Sequence, residues 1–151
     1  MLGVLPLKPP GALTLRPGDL SLSDLGWLHR GGVKVDLDPG CWPAVRAGAT
    51  LVQQAAAGEQ AVYGVNTGFG KLASQRIGAA DLATLQRHLI RSHCVGVGAP
   101  LSAPVVRLVL ALKAASLARG YSGVREGVIT CLLDVDRKST RLNSSHEWIS
   151  R

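Results

Sequence analysis

The chain has 151 residues, of which 46% are hydrophobic and 18% are charged, so its composition is typical of a globular protein and excludes a disordered one. Aromatic residues make up only 4%, which leaves Leu, Val and Ala to build the core and favours packed helices. The net charge of +7 is spread along the chain and forms no basic stripe interleaved with aromatic residues. Composition therefore predicts no nucleic-acid partner.

The cysteines and the apolar segments indicate the cellular compartment and whether the chain associates with a membrane. Cys41, Cys94 and Cys131 are far apart and odd in number, which argues against a disulfide framework or a structural zinc site. The N-terminal segment lacks the charged start and long apolar run of a signal peptide. The longest apolar stretch, residues 105–112, is interrupted by Arg107 and is too short to span a bilayer. We therefore expect a cytoplasmic protein with reduced thiols, no metal and no membrane association.

A small accessory element is predicted near the N-terminus. Residues 13–15 and 33–37 alternate apolar and polar side chains, which is typical of short strands that could pair. Between them, Ser21 is a good N-cap and Asp24 suits the first turn of a helix that Gly31 would end. Two strands around one helix make an accessory element, so the predicted fold class stays mainly α.

Three longer helical segments are predicted after this element. Pro43 suits the first turn of a helix over residues 44–58, and Asp81 is a candidate cap for a helix that runs to about Cys94. Ser102 opens the third, in which we expect the Val and Leu side chains to be buried. The three apolar stripes are Val45, Ala49, Val52 and Ala56; Leu82, Leu85, Leu89 and His93; and Val105, Leu108, Val109 and Leu112.

His93 lies at the C-terminal end of the second stripe, so its helical phase predicts an inward-facing side chain. Such a histidine is either a core residue bonded to a backbone carbonyl or a functional group, and the pattern leaves both possibilities open. The other histidines, His29, His88 and His146, have no partners at metal-binding spacing.

The segment with the most unusual composition is residues 63–70, YGVNTGFG, between two helical segments. Its glycines, phenol, carboxamide and hydroxyl suit neither helix nor strand, so a shaped loop is predicted. Glycine tolerates positive φ and allows another group close to the backbone. Tyr63 either packs with its hydroxyl in water or moves a proton. Glycine patterns at residues 70–71 and 96–98 are incomplete as phosphate-binding motifs.

Three segments, taken in order, resemble the aromatic amino-acid ammonia-lyases. They are YGVNTGFG at residues 63–70, LQRHLIRSHCVGVG at residues 85–98 and GYSGVR at residues 120–125. The resemblance covers roughly residues 11–133. Within that family, the pair Ser92-His93 is similar to the histidine ammonia-lyases, whereas phenylalanine and tyrosine lyases tend to have Phe-Leu or His-Leu there.

The resemblance implies a fold and a reaction. It implies the N-terminal part of a helical, homotetrameric enzyme whose active sites are assembled from several subunits. It also implies removal of ammonia from L-histidine to give trans-urocanate, the first step of histidine degradation. In this family the electrophile is 4-methylidene-imidazol-5-one, a group made from the protein's own Ala-Ser-Gly.

The same resemblance implies roles for particular residues. Tyr63 would sit beside the electrophile and act as a base or proton shuttle. His93 would line the pocket that holds the substrate imidazole, and Gly70 would let the substrate come close to the loop backbone. The residues expected to hold the shape of the loop are Asn66, Thr67 and Gly68.

The chain departs from the family in one decisive respect, because no Ala-Ser-Gly occurs in its sequence. From residue 134 the sequence becomes polar and aperiodic, and residues 134–151 look like translated adapter or vector sequence. We therefore expect residues 1–133 to be an incomplete N-terminal portion of a catalytic domain, followed by an unrelated or disordered tail. On its own the chain is expected to be inactive.

The sequence leaves two alternative functions open. The parent protein could act on tyrosine or phenylalanine, with the same fold and electrophile. The chain could instead be a small non-catalytic helical module that binds acidic partners through its positive charge.

Overall fold

The computed structural model describes residues 11–139, with side chains described through residue 135. Within this range the chain forms two strands and five α-helices, and short 3₁₀ helices lie at Pro39–Cys41 and Gly70–Leu72. The regular elements are β1 (Ala12–Leu15), α1 (Leu22–Arg30), β2 (Lys34–Leu37), α2 (Trp42–Ala57), α3 (Ala79–His93), α4 (Ala103–Leu117) and α5 (Glu126–Ser139). The mainly helical fold class with a small two-strand element is confirmed.

The described residues divide into two compact units. Residues 11–48 and 101–139 form the first unit, and residues 49–100 form the second. Helix α2 begins in the first unit and ends in the second. The first unit contains the packed apolar core, and the second contains the loop at residues 63–70.

The N-terminal element forms as its local sequence predicts. Strands β1 and β2 pair in parallel, with Leu13 opposite Val35. Parallel pairing requires a crossover, and α1 provides it. A capping box begins this helix: the Ser21 hydroxyl accepts from the Asp24 N–H, and the Asp24 carboxylate accepts from the Ser21 N–H. Gly31, with φ of 76°, ends the helix.

The core of the first unit is aliphatic, as the low aromatic content predicts. Helix α4 packs against α1 and α5, and α5 also contacts β2. Burial of these aliphatic side chains supplies the main favourable term for folding this unit. The buried cluster consists of Leu13, Leu15, Leu28, Val35, Val45, Ala111, Ala114, Leu117, Ala118, Ile129 and Leu133.

Two glycines allow the turn after α4 to approach α2 closely. A Cβ on Gly48 would collide with the Gly120 carbonyl oxygen, and a Cβ on Gly120 would lie 2.6 Å from the Ala44 carbonyl oxygen. Gly120 also has a φ of 83°, which disfavours any other residue. The glycine that opens the GYSGVR segment is therefore required by backbone packing.

The predicted buried side of α4 is wrong for this chain. Val105, Val109 and Leu112 are exposed, and Leu108 is only partly buried. The buried residues are instead mostly small side chains, Ala111, Ala114 and Ala115, together with Leu117. Small residues let α1 and α5 approach the helix closely, whereas the larger Val and Leu side chains remain on an uncovered face.

Two helix ends also differ from the predictions. Gly78 is the N-cap of α3, so Asp81 lies in the first turn and does not cap it, although its charge still suits the helix dipole there. Helix α5 continues to Ser139, so residues 134–139 are helical where a disordered tail was expected. The rest of that predicted tail, residues 140–151, lies outside the described residues.

The cysteine side chains and the lengths of the helices relate to the predictions about disulfides and membrane association. All three cysteines are free, and the Cys41 thiol donates to the Asp38 carbonyl oxygen at 2.8 Å. Burial, assisted by the charges of Asp38 and Glu126, raises the pKa of the Cys41 thiol, which keeps it protonated and structural at neutral pH. Among residues 11–139, no helix is long and apolar enough to cross a membrane.

Truncation of two leucines on α1 tests the position of the apolar core. Leu28 is fully buried, whereas Leu22 on the same helix is 82% exposed. We expect Leu28→Ala to lower the free energy of unfolding by about 2–5 kcal/mol, because it leaves a cavity. Leu22→Ala should change it by less than about 0.5 kcal/mol. Urea titration followed by circular dichroism measures both, and equal effects would contradict this core.

Candidate functional site

The second unit is organised around polar groups. Among its described residues, 49–100, the fully buried positions are Asn66, Thr67 and Gly68, and no hydrophobic side chain is buried. The apolar stripe of α3 is only half-buried. The conformation of residues 58–77 therefore depends on hydrogen bonds more than on apolar burial.

Asn66 is the centre of this arrangement. Its side-chain Oδ1 accepts from the Val62 N–H at 2.7 Å. Its Nδ2 donates to the carbonyl oxygens of Ala55 at 3.0 Å and Gln60 at 2.9 Å. The side chain is completely buried, so these three hydrogen bonds replace the water that it would otherwise bind.

The partners of Asn66 explain what the side chain does for the loop. Ala55 lies in the last turn of α2, and its carbonyl oxygen also accepts from the Gly58 N–H at 3.3 Å. Gln60 and Val62 lie in the chain that leads from this helix to Tyr63. One carboxamide therefore joins the end of α2 to the start of the loop. Only Asn offers one acceptor and two donors at this side-chain length.

Backbone bonds close the other side of the loop. The Ile77 N–H donates to the Asn66 carbonyl oxygen at 2.8 Å, and the Gly68 N–H donates to the Gln75 carbonyl oxygen at 3.3 Å. Thr67 and Arg76 form an isolated antiparallel bridge. The Arg76 guanidinium also donates to the Gly58 carbonyl oxygen at 3.2 Å. These contacts bring residues 66–68 and 75–77 side by side.

Two positions of the loop are glycine for different structural reasons. A Cβ on Gly68 would lie 2.5 Å from the Leu72 Cβ, so this buried position has no room for a side chain. Gly70 has a φ of 60°, and no atom lies within 4 Å of the position where its Cβ would be. The space over the Gly70 backbone is therefore open, so another molecule can approach it.

Tyr63 stands at the start of the loop and is 65% exposed. Its ring packs edge-on against Phe69, with ring centroids 5.9 Å apart and an interplanar angle of 73°. Its hydroxyl makes no hydrogen bond within the part of the chain that the structure describes. The ring is thus positioned by Phe69 while the phenol oxygen remains available to another group.

His93 is the last residue of α3, and its side chain is exposed in this chain, although the helical phase predicts an inward one. The stripe that it ends is formed by half-buried leucines, so this face of α3 has no deep core to point into. His93 Nδ1 lies 2.8 Å from the Leu89 carbonyl oxygen and 3.1 Å from Ser92 Oγ. Its other ring nitrogen, Nε2, is left for an external partner.

The structure brings some of the predicted site residues together and leaves one apart. Tyr63, Asn66, Gly68 and Gly70 belong to one loop, whereas His93 makes its hydrogen bonds within its own helix. No hydrogen bond or ring contact joins Tyr63 to His93 among residues 11–139. Within the same range no group of three metal-ligating side chains occurs.

Sequence reasoning missed the contact between Ser92 and His93, since it used Ser92 only as a mark of resemblance. A serine next to a histidine at a helix C-terminus could have indicated it, because both side chains can reach the last carbonyls. Two surface clefts of about 530 and 610 Å³ among the described residues of the first unit are lined by residues other than the predicted site residues.

Comparisons with known proteins identify the family of the chain. The family model for aromatic amino acid lyases matches residues 20–139, and the chain belongs to this family. It is 52% identical over 121 residues to a histidine ammonia-lyase of Rhodospirillum rubrum and 51% identical over 122 residues to one of Aromatoleum aromaticum. These alignments cover 80% and 81% of this chain but only 24% and 23% of the relatives. The chain thus spans about a quarter of their length.

Solved structures show the same fold. A tyrosine aminomutase from Streptomyces globisporus matches 85% of this chain and 24% of its own, with a TM-score of 0.76 and 22% identity. Ergothionase from Treponema denticola, an ergothioneine-degrading enzyme, matches 85% of this chain and 26% of its own, with a TM-score of 0.77 and 26% identity. The described fold is therefore that of one segment of these larger chains.

The residues present do not fit the family's electrophile as a complete site. The group 4-methylidene-imidazol-5-one forms from Ala-Ser-Gly, and this tripeptide does not occur in the 151 residues. The exposed Tyr63 and the open space over Gly70 remain free toward another segment.

Replacement of Asn66 by Ala tests whether its carboxamide holds the loop. The change removes three hydrogen bonds and leaves the Ala55 and Gln60 carbonyls without this partner, a loss of about 3 kcal/mol at about 1 kcal/mol per bond. We expect trypsin to cleave after Lys71 and Arg76 about 100-fold faster, because the loop opens more often. Limited proteolysis followed by mass spectrometry measures the rates.

The matched control is Gln53→Ala, which removes an exposed carboxamide from α2. Its cleavage rates should equal those of the unaltered chain. Unchanged cleavage in Asn66→Ala would contradict the role of Asn66.

Proposed function

We propose that this chain is the N-terminal part of a histidine ammonia-lyase, which removes ammonia non-oxidatively from L-histidine to give trans-urocanate. The proposal rests on one observation. Over four fifths of the chain, about half of the aligned residues are identical to those of two histidine ammonia-lyases. An alignment of 121 or 122 residues within a chain of 151 includes both the loop at residues 63–70 and the pair Ser92-His93.

The chemical obstacle is the β-hydrogen of histidine, which is scarcely acidic. An enzyme must provide both an electrophile and a group that exchanges protons within hydrogen-bond reach of the substrate. We assign the proton exchange to Tyr63, whose ring is positioned by Phe69 and whose hydroxyl is open to other groups. The electrophile would come from a segment that this chain does not contain.

Substrate binding is assigned to two further positions. The open space over Gly70 allows the amino acid to approach the loop backbone without meeting a side chain. His93 has an exposed ring and a free Nε2, which suits a hydrogen bond to the substrate imidazole. Asn66, Thr67 and Gly68 would contribute by holding the loop in shape, since all three are buried.

The uncovered face of α4 supports the view that further protein packs on this chain. Val105, Val109 and Leu112 are exposed by 38%, 54% and 44% on one side of the helix. A contiguous apolar face of this kind marks an interaction surface. We propose that later segments and other subunits of a cytoplasmic homotetramer cover it, and that the chain alone is inactive.

Completion of the reading frame beyond residue 133 gives the most direct test of this function. The completed protein should contain Ala-Ser-Gly and produce urocanate from L-histidine, detected by ultraviolet absorbance, with little product from tyrosine or phenylalanine. The 151-residue chain should give no turnover. Cinnamate or coumarate as the main product would overturn the substrate assignment, and the absence of all three products would overturn the proposed reaction.

Replacement of Tyr63 by Phe in the completed protein tests the proton role. The ring and its contact with Phe69 are kept, so the loop should retain its shape while the hydroxyl is lost. We expect kcat to fall by about 10²–10⁴-fold, the usual contribution of a general acid or base. Steady-state kinetics with L-histidine measures the change.

Tyr121→Phe is the matched control, since Tyr121 is 86% exposed in the first unit and loses the same single oxygen. Its kcat should stay within about twofold of the unaltered protein, in line with a surface substitution. A Tyr63→Phe protein as active as this control would contradict the assignment.

A further inference from the structure

We propose that Ser92 is a positioning residue for His93. Together with the Leu89 carbonyl it holds the neutral ring in the tautomer whose proton is on Nδ1, so that Nε2 is presented as a hydrogen-bond acceptor. The tautomer follows from the structure alone. Only the identity of the group that meets Nε2 rests on the proposed function.

Three polar atoms meet at the end of α3. Ser92 Oγ donates to the Leu89 carbonyl oxygen at 2.8 Å. His93 Nδ1 lies 2.8 Å from the same carbonyl oxygen and 3.1 Å from Ser92 Oγ. All of these distances are within the range of real hydrogen bonds.

The position of the protons follows from what each atom can do. A carbonyl oxygen only accepts, so a bare Nδ1 at 2.8 Å would place two lone pairs against each other. Nδ1 must therefore carry a proton and donate to Leu89. The Ser92 proton already points to Leu89, so a lone pair of Oγ faces the Nδ1–H and stabilises the same tautomer.

This arrangement selects the chemical class of ligand that His93 can bind. In water a neutral histidine ring carries its proton mainly on Nε2, so the contacts of Ser92 and Leu89 reverse the ordinary preference. A neutral His93 with a bare Nε2 pairs only with a donor, such as the N–H of an imidazole. A phenyl side chain has no donor and would leave Nε2 unpaired, which disfavours it.

The tautomer can be measured without any substrate. In the ¹⁵N-labelled 151-residue chain at a pH of about 8.5, where histidine rings are neutral, long-range ¹H–¹⁵N correlation spectra distinguish the two ring nitrogens. His93 should show its proton mainly on Nδ1, whereas His88, exposed on the same helix, should show the ordinary preference for Nε2. A His93 pattern equal to that of His88 would overturn the inference.

Variants separate the hydroxyl from the carbonyl. Ser92→Ala should raise the ratio of Nε2–H to Nδ1–H in His93 by about 2- to 10-fold, the usual weight of one hydrogen bond. Ser92→Thr keeps the hydroxyl and should restore the original ratio. If Ser92→Ala leaves the ratio unchanged, the Leu89 carbonyl acts alone and Ser92 has no positioning role.

Kinetics of the completed protein give a second readout. Ser92→Ala should raise KM for L-histidine by about 2- to 10-fold with kcat nearly constant. The reason is that the hydrogen bond to His93 Nε2 is weakened equally in the ground state and in the transition state. An unchanged KM would contradict the role of the tautomer in binding. Loss of the proposed function would instead appear as no turnover by the unaltered protein, with the Nδ1–H tautomer still present in the spectra.

Discussion

The three hydrogen bonds of the Asn66 side chain are the constraint on which the candidate site depends. They join the last turn of α2 to the segment that carries Tyr63, and they are made by a fully buried side chain. Burial of a carboxamide costs free energy unless its donors and acceptor are paired. Loss of any one of the three hydrogen bonds should therefore destabilise the whole arrangement. The site loop therefore keeps a defined shape without an apolar core of its own.

The two units are stabilised by different physical means. The first has a continuous aliphatic core, to which α1, α4, α5 and both strands contribute. The second, among residues 49–100, buries no hydrophobic side chain and relies on side-chain and backbone hydrogen bonds. Because hydrogen bonds contribute little net free energy in contact with water, we expect the second unit to open more readily than the first.

Local sequence signals predicted the features that depend on neighbouring residues. The strand alternation, the Ser21 cap and the Gly31 stop all act within a few residues, and the structure has each of them. The composition of residues 63–70 likewise predicted a shaped loop. The resemblance to a family rested on short motifs in a fixed order, and the family match over residues 20–139 confirms it.

Features that depend on distant parts of the chain could not be predicted. Helix α4 has a face of Val and Leu and a face of Ala, and periodicity favoured the larger residues, whereas close packing against α1 and α5 selected the small ones. The partners of Asn66 depend on the path of the backbone between residues 55 and 66. The phase of α3 placed His93 on the leucine stripe but could not show that the stripe is only half-buried.

Amide hydrogen exchange of the 151-residue chain tests most directly whether Asn66 holds the loop. The N–H groups of Val62 and Ile77 donate to the Asn66 side chain and backbone, so both should be protected although they lie outside any helix. Their protection should exceed that of the amides in α3, and the amides of α4 should be the most protected of the three groups. Free exchange at Val62 and Ile77, with α3 protected as strongly as α4, would contradict the account.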